Sequence, residues 1–204
     1  MRETIQNGLS FYHISLDERD LEHLCFYITE LVRWNSKINL TGVKDIQRTI
    51  KDLLFDSFFL SGYVAGNHSV IDLGSGSGIL GIPLSIINKA NKVYSIDKSL
   101  RKIQFQRHIK RILNLTRFST FHARAEDVKP LSADYLVAKA FGSSKEILDI
   151  GTIHVKKNGH ALLLKGKNEI PVLHDKFSLE NSIAYTLPSQ DRSYTLLVYK
   201  KVSS

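Results

Sequence analysis

The residues best suited to chemistry lie in the segment 70–81, which reads VIDLGSGSGILG. Asp72 ends a short apolar run there, and a turn with three alternating glycines follows it. Glycine lets a backbone bend sharply and lets a ligand approach without a Cβ in the way. A second acid, Asp97, closes the next apolar run, where one carboxylate can accept hydrogen bonds from both hydroxyls of a ribose. The segment therefore predicts a nucleotide-binding site at the ends of two neighbouring strands.

The glycine spacing selects among nucleotide ligands. Gly74, Gly76 and Gly78 form G-x-G-x-G, whereas a dinucleotide site has G-x-G-x-x-G and would need a glycine where Ile79 stands. An acid two residues before the first glycine is typical of enzymes that use S-adenosylmethionine. That cofactor has no pyrophosphate for a helix N-terminus to hold. The loop can instead surround its amino-acid end, with an acid near the ammonium group. The spacing disfavours a nicotinamide-dependent dehydrogenase.

A third motif agrees with this interpretation. The acidic turn 124–127 (RAED) follows the third predicted strand, where methyltransferases of this fold hold the adenine. We expect backbone groups of Ala125 and Glu126 to pair with the edge of the base.

The elements that must position these motifs alternate along most of the chain. Two amphipathic helices are predicted first, at 16–34 and 45–63, with residues 35–41 breaking the first of them. The remaining predicted elements are strands at 69–73, 92–96, 118–122, 134–138 and 160–164, helices at 79–88, 100–113 and 145–155, and an antiparallel pair at 183–187 and 195–200.

This alternation predicts right-handed crossovers and a mainly parallel, doubly wound sheet, with the ligand at the carboxyl ends of the strands. We expect an α/β, Rossmann-like class I methyltransferase fold with an antiparallel last strand. We expect one methyltransferase domain over 1–204, consisting of an N-terminal helical extension (15–66) and a cofactor-binding α/β core (67–204).

Composition and charge indicate a polyanionic partner. The formal net charge is +8 and the pI is about 9.5, which suits contacts with nucleic-acid phosphates. The one cysteine, Cys25, excludes an intramolecular disulfide, and the histidines lack metal-ligand spacing. No apolar run is long enough for a membrane span and no signal peptide is evident, so we expect a cytoplasmic protein. We expect no membrane partner, no metal and a monomer.

Over residues 20–201, these motifs resemble the bacterial guanine-N7 methyltransferases of small-subunit ribosomal RNA (RsmG, also called GidB). The most specific part of the likeness lies outside the glycine loop, in the segment 34–41 (WNSKINLT) and in the pair Asp56-Ser57. The segment 81–84 (GIPL) completes the match after the loop.

The resemblance implies cofactor contacts at Gly74, Ile79, Ala125 and Glu126, with a further one at position 139. The full predicted set is Asp72, Gly74, Gly76, Gly78, Ile79, Asp97, Ala125, Glu126 and Lys139. On the substrate side we assign Arg124, Lys139, Phe141 and Lys165. The sequence departs from the family pattern at Lys139 (usually arginine), Leu53 (usually histidine), and Ser77 and Leu80 (usually prolines).

The implied reaction is methyl transfer from S-adenosylmethionine to guanine N7 of 16S ribosomal RNA, with naked RNA or the small ribosomal subunit as partner. N7 has an exposed lone pair and needs no general base, so the missing catalytic dyad is expected. Residues 137–142 (VAKAFG) lack the Pro-Pro segment of exocyclic-amine methylases. Two alternatives stay open: a methyltransferase acting on another RNA or a small molecule, and a degenerate family member that binds RNA without catalysis.

Overall fold

The computed structural model describes residues 1–64, 66–188 and 191–203. Four helices and one π-helical turn precede the first strand. They are α1 (Arg2–Phe11), α2 (Glu18–Ile38), α3 (Ile46–Thr49), the π-helical turn (Ile50–Leu54) and α4 (Phe55–Ser61). Asp17 caps the start of α2, and its carboxylate accepts a hydrogen bond from the amide of Asp20 at 2.8 Å. None of the described helices is both long and apolar enough to cross a membrane.

The structure differs from the predictions for this part in three places. Helix α1 was not predicted, and the predicted helix 45–63 is divided by the π-helical turn. The helix ends within the expected interval 35–41, but later than predicted, because α2 continues to Ile38. The polar side chain of Asn35 faces inward, where it accepts from the amide of Thr41 at 2.8 Å and donates to the carbonyl of Val43 at 2.7 Å. Asn35 thus holds the turn that follows the helix.

The remaining elements form one seven-stranded sheet and its covering helices. The strands are β1 (Ser69–Leu73), β2 (Lys92–Asp97), β3 (Phe118–His122), β4 (Ala133–Lys139), β5 (Val155–Gly166), β6 (Phe177–Thr186) and β7 (Ser193–Lys201). The helices are α5 (Gly81–Ile87), α6 (Leu100–Ile112) and α7 (Ser144–His154). The strand order is β3-β2-β1-β4-β5-β7-β6; the first five strands are parallel, and β7 is antiparallel to both neighbours. The predicted Rossmann-like class is confirmed.

Apolar side chains alternate between the two faces of the sheet. Val70 belongs to the core under the N-terminal helices, α5 and α6, and Ile71 to the core on the other face. On β5, Leu162 likewise belongs to the first core and Leu163 to the second. Successive strand residues point to opposite faces, so these runs can bury both sides of a doubly wound sheet. The N-terminal helices therefore share one core with the sheet.

Candidate active site

The three glycines after β1 form a tight loop with positive φ angles. The φ values are 62° at Gly74, 58° at Gly76 and 78° at Gly78. A Cβ on Gly74 would lie 2.2 Å from Cδ2 of Phe141, and one on Gly78 would lie 2.7 Å from Cδ1 of Ile82. Both the backbone angle and the close contacts therefore require glycine at these two positions.

Asp97, at the end of β2, holds this loop in place. Its Oδ2 accepts a hydrogen bond from the amide of Gly76 at 2.8 Å, and its Oδ1 accepts from the amide of Ser99 at 2.7 Å. The carboxylate is largely buried but still lines a cavity. It thus joins the glycine loop to the start of α6 while it lines the cavity.

A cavity of about 390 Å³ opens at the carboxyl ends of β1 to β4. Its volume is within the range of small-molecule sites. The predicted residues that line it are Gly74, Asp97, Arg124, Ala125, Glu126 and Phe141. A neighbouring cavity of about 180 Å³ is lined by the predicted residues Asp72, Gly74, Gly76, Ile79 and Lys139. The fold therefore brings residues from four strand ends together around Gly74, which borders both cavities.

Two predicted residues line neither cavity. Gly78 lies inside the loop, where the side chain of Ile82 takes the space of a Cβ. Lys165 donates from its Nζ to the carbonyl of Gly142 at 3.1 Å and lies 3.8 Å from the carboxylate of Glu169. Lys165 therefore stabilises the loop after β4 without lining either cavity.

The turn after β3 is fixed by a residue that the sequence analysis missed. Residues 125–127 form one 3₁₀ turn, and the carbonyl of Ala125 accepts a hydrogen bond from Nε2 of His154 at 2.9 Å. His154 is completely buried at the end of α7. Because His154 is far from the turn in sequence, no local pattern of residues indicates this contact. The contact holds the Ala125 backbone so that Arg124 and Glu126, both exposed, border the cavity.

Lys102 on α6 is a second residue whose place the sequence analysis did not identify. It lines both cavities, and its Nζ lies 3.9 Å from the position that a Cβ on Gly76 would occupy. In sequence it is one of several cations on a basic helix, so only the packing of α6 distinguishes it. It places a positive charge beside the glycine loop.

Asp72 is buried to 2% exposure beneath the loop. Its Oδ2 accepts a hydrogen bond from the amide of Gly81 at 2.9 Å, which ties β1 to the start of α5. Burial raises the pKa of this carboxyl to about 7; the Gly81 hydrogen bond opposes the rise and the charge of Asp97 adds to it. The group is therefore partly protonated near neutral pH.

We expect Asp72→Asn to remove a pH dependence of folding. A raised folded-state pKa means that the folded protein binds more protons than the unfolded chain between about pH 4 and pH 7, so stability falls as pH rises through that window. Three pKa units correspond to at most about 4 kcal/mol. The asparagine oxygen can still accept from the Gly81 amide. Urea unfolding at pH 5 and pH 8 measures the difference.

Asp127→Asn is the matched control for this prediction, because Asp127 is exposed. It should leave the pH dependence of the free energy of unfolding as it is in the wild type. If Asp72→Asn and the wild type lost the same stability between pH 5 and pH 8, the buried carboxyl would not have a raised pKa.

Lys139 points toward the N-terminal helices as well as the smaller cavity. Its Nζ forms an ion pair with Asp56 and donates to the carbonyl of Asp52 at 2.9 Å. Asp56 is fully buried on α4, and its Oδ1 accepts from the hydroxyl of Tyr185 at 2.7 Å. Burial, with Asp56 beside it, raises the pKa of Tyr185. Lys139 thus connects the end of β4 to the helices that cover the sheet.

Among the described residues, no group of three or more histidine, cysteine, aspartate or glutamate side chains could hold a metal ion.

The comparisons with known proteins agree on one family. A family model for GidB, described as rRNA small subunit methyltransferase G, matches residues 20–196. A ribosomal RNA small subunit methyltransferase G from Geobacter sp. (strain M21) is 30% identical over 208 residues, which cover 97% of this chain and 96% of that protein. One of the same name from Haemophilus influenzae (strain PittEE) is 30% identical over 92% of this chain and 94% of its own length.

Solved structures share the fold at low sequence identity. A putative methyltransferase from Escherichia coli, yhhF, has a TM-score of 0.59 at 13% identity, covering 81% of this chain and 91% of its own. TYW2 from M. jannaschii, crystallised with AdoMet, has a TM-score of 0.56 at 16% identity over 73% of this chain and 74% of its own. These likenesses concern the fold.

Proposed function

The chain belongs to the GidB family, rRNA small subunit methyltransferase G, and on that premise we propose that it methylates guanine N7 in 16S ribosomal RNA with S-adenosylmethionine as donor. The observation that carries the proposal is the cavity at the carboxyl ends of β1 to β4, with Gly74, Asp97 and the 125–127 turn on its walls. The cofactor supplies a methyl group on a positively charged sulfur, ready for direct displacement.

The residues present fit this cofactor along its whole length. Asp97 suits the ribose, because its carboxylate can accept from two hydroxyls while it keeps its hold on the Gly76 amide. Backbone groups of Ala125 and Glu126 suit the adenine, since His154 fixes the Ala125 carbonyl. Asp72 lines the smaller cavity and offers a carboxylate to the amino-acid end. Ile79 and Lys139 border that same end, so the cofactor would extend across Gly74.

The protein's part in the reaction is positioning and exclusion of water. Guanine N7 attacks with its own lone pair, so the chain need not remove a proton in that step. Phe141 packs against Gly74 and borders the main cavity, where an aromatic face suits stacking on the target base. Arg124 lies at the same rim and suits a phosphate of the substrate. Lys165 would act through the loop that it supports.

We place the activity in the cytoplasm with ribosomal RNA or the small ribosomal subunit as partner. We also expect the protein to act as a monomer. The net charge of +8 suits either form of the RNA.

The test is to map 7-methylguanine in small-subunit RNA from a strain that lacks this chain. We expect one modified guanine to disappear, to return with the wild-type chain and to stay absent with Asp97→Ala. The purified protein should also methylate isolated subunits or naked RNA in the presence of the cofactor. An unchanged pattern of 7-methylguanine would contradict the proposal. Binding of S-adenosylhomocysteine without any RNA methylation would support the alternative of a non-catalytic RNA-binding member.

A further inference from the structure

A second cleft lies at the opposite end of the sheet from the candidate active site. It has a volume of about 210 Å³ and is formed by the start of α2, the end of α5 and the connection from α6 to β3. Asn91, just before β2, lines it, whereas Asp97 at the other end of β2 lines the main cavity. Six residues of extended chain separate the two by roughly 20 Å.

Asn91, on the wall of this cleft, has a buried side-chain donor without a hydrogen-bond partner in the described part of the chain. Asn91 is 1% exposed, and its Oδ1 accepts a hydrogen bond from the amide of His68 at 3.0 Å. Its Nδ2 has no hydrogen-bond partner among the described residues, although it is buried. Buried polar groups are nearly always paired, with protein or with water, so this amide can accept a partner from outside the chain.

The charged side chains around the cleft favour an anion. Arg19 and Arg117 are exposed, lie on different elements, and have no ion pair or side-chain hydrogen bond within the described part of the chain. The one carboxylate on the wall, that of Asp20, is buried and paired with Lys89 at 2.6 Å. The charged side chains left available are therefore hydrogen-bond donors. Guanidinium groups recognise the oxygens of phosphate through paired hydrogen bonds.

We propose that this cleft binds a backbone phosphate of the substrate RNA, away from the methyl-transfer site. The inference rests on the proposed function, since it takes the RNA to be the partner. A phosphate oxygen accepts from Nδ2 of Asn91, and Arg19 and Arg117 close on the remaining oxygens from two sides. The contact carries no sequence information; it fixes how the RNA lies across the protein.

The test uses the full chain and a labelled RNA fragment of the small-subunit RNA, with binding measured by fluorescence anisotropy over a range of salt concentrations. In the double variant Arg19→Gln/Arg117→Gln we expect roughly tenfold weaker binding and a salt slope smaller by about 1 to 2. Asn91→Asp keeps the acceptor for the His68 amide but replaces the free donor by a negative oxygen, so it should weaken binding as well. Lys129→Gln/Lys157→Gln, which removes the same charge from exposed positions outside the cleft, is the matched control.

Three further measurements separate the possible outcomes. Binding of S-adenosylhomocysteine should be unchanged in every cleft variant, and methylation by the wild type tests the proposed function independently. If Arg19→Gln/Arg117→Gln bound RNA as tightly as the lysine control, the cleft proposal would be overturned and the proposed function would not be affected. Inorganic phosphate and adenosine monophosphate are titrated as well. If they bound in an Asn91-dependent way while the cleft variants kept full RNA affinity, the cleft would be a small-anion site and the RNA assignment would be wrong.

Discussion

Asp97→Ala is expected to weaken the binding of S-adenosylhomocysteine by about a hundredfold or more, which corresponds to roughly 2.7 kcal/mol. The variant removes the acceptor for the Gly76 amide at 2.8 Å and for the Ser99 amide at 2.7 Å, so the glycine loop loses its fixed position. It also removes the group proposed to accept from the ribose. Hydrogen bonds to a charged group contribute about 1.5–3 kcal/mol each, so the loss of one ligand contact already approaches this value.

Calorimetric titration of the purified protein measures this effect. Asp127→Ala is the matched control, because Asp127 is exposed at the end of the 125–127 turn and lines neither cavity. Its affinity should stay within about twofold of the wild type. A wild-type affinity in Asp97→Ala, with thermal melting showing a folded protein, would remove Asp97 from the cofactor site.

Lys139→Met is expected to lower the free energy of unfolding by about 3–5 kcal/mol. The ammonium group of Lys139 is the cationic partner of Asp56, which is fully buried and otherwise bonded to the hydroxyl of Tyr185. Without the lysine, a buried carboxylate would be left without a countercharge. The side chain of Lys139 is 20% exposed, so we expect a value near the lower end of this range.

A double-mutant cycle tests this pair and separates its two proposed roles. Asp56→Leu/Lys139→Met should recover a large part of the lost stability, because no unpaired charge remains. Urea unfolding gives the four free energies, and the exposed Lys129→Met should change stability by less than about 0.5 kcal/mol. If Lys139 also contacts the cofactor, the double variant binds S-adenosylhomocysteine more weakly than the wild type even though its stability is recovered. Additive losses in the cycle would show that the ion pair contributes nothing.

Local sequence signals were sufficient for most of the fold. The predicted strands at 69–73 and 118–122 match β1 and β3 residue for residue, and the glycine loop between β1 and α5 lies where its spacing indicates. These features depend on neighbouring residues: a short apolar run forms a strand that is buried on both faces, and glycine is needed where φ is positive. Asp97 could be assigned to the same cavity because parallel strands end at one edge of a sheet.

The sequence by itself therefore determined the class of fold, the strand–loop–helix at Gly74 and the family resemblance that the comparisons then confirmed. Only the tertiary structure decided which groups are buried together. Asp72 proved to be a buried carboxyl that ties β1 to α5 and has a raised pKa. Lys139 proved to be paired with Asp56, which lies 83 positions earlier on α4. Such pairings depend on desolvation and on contacts between distant segments, and neither leaves a periodic signal in the chain. For the same reason, the His154 contact to Ala125 and the unpaired amide of Asn91 could not be predicted from the sequence.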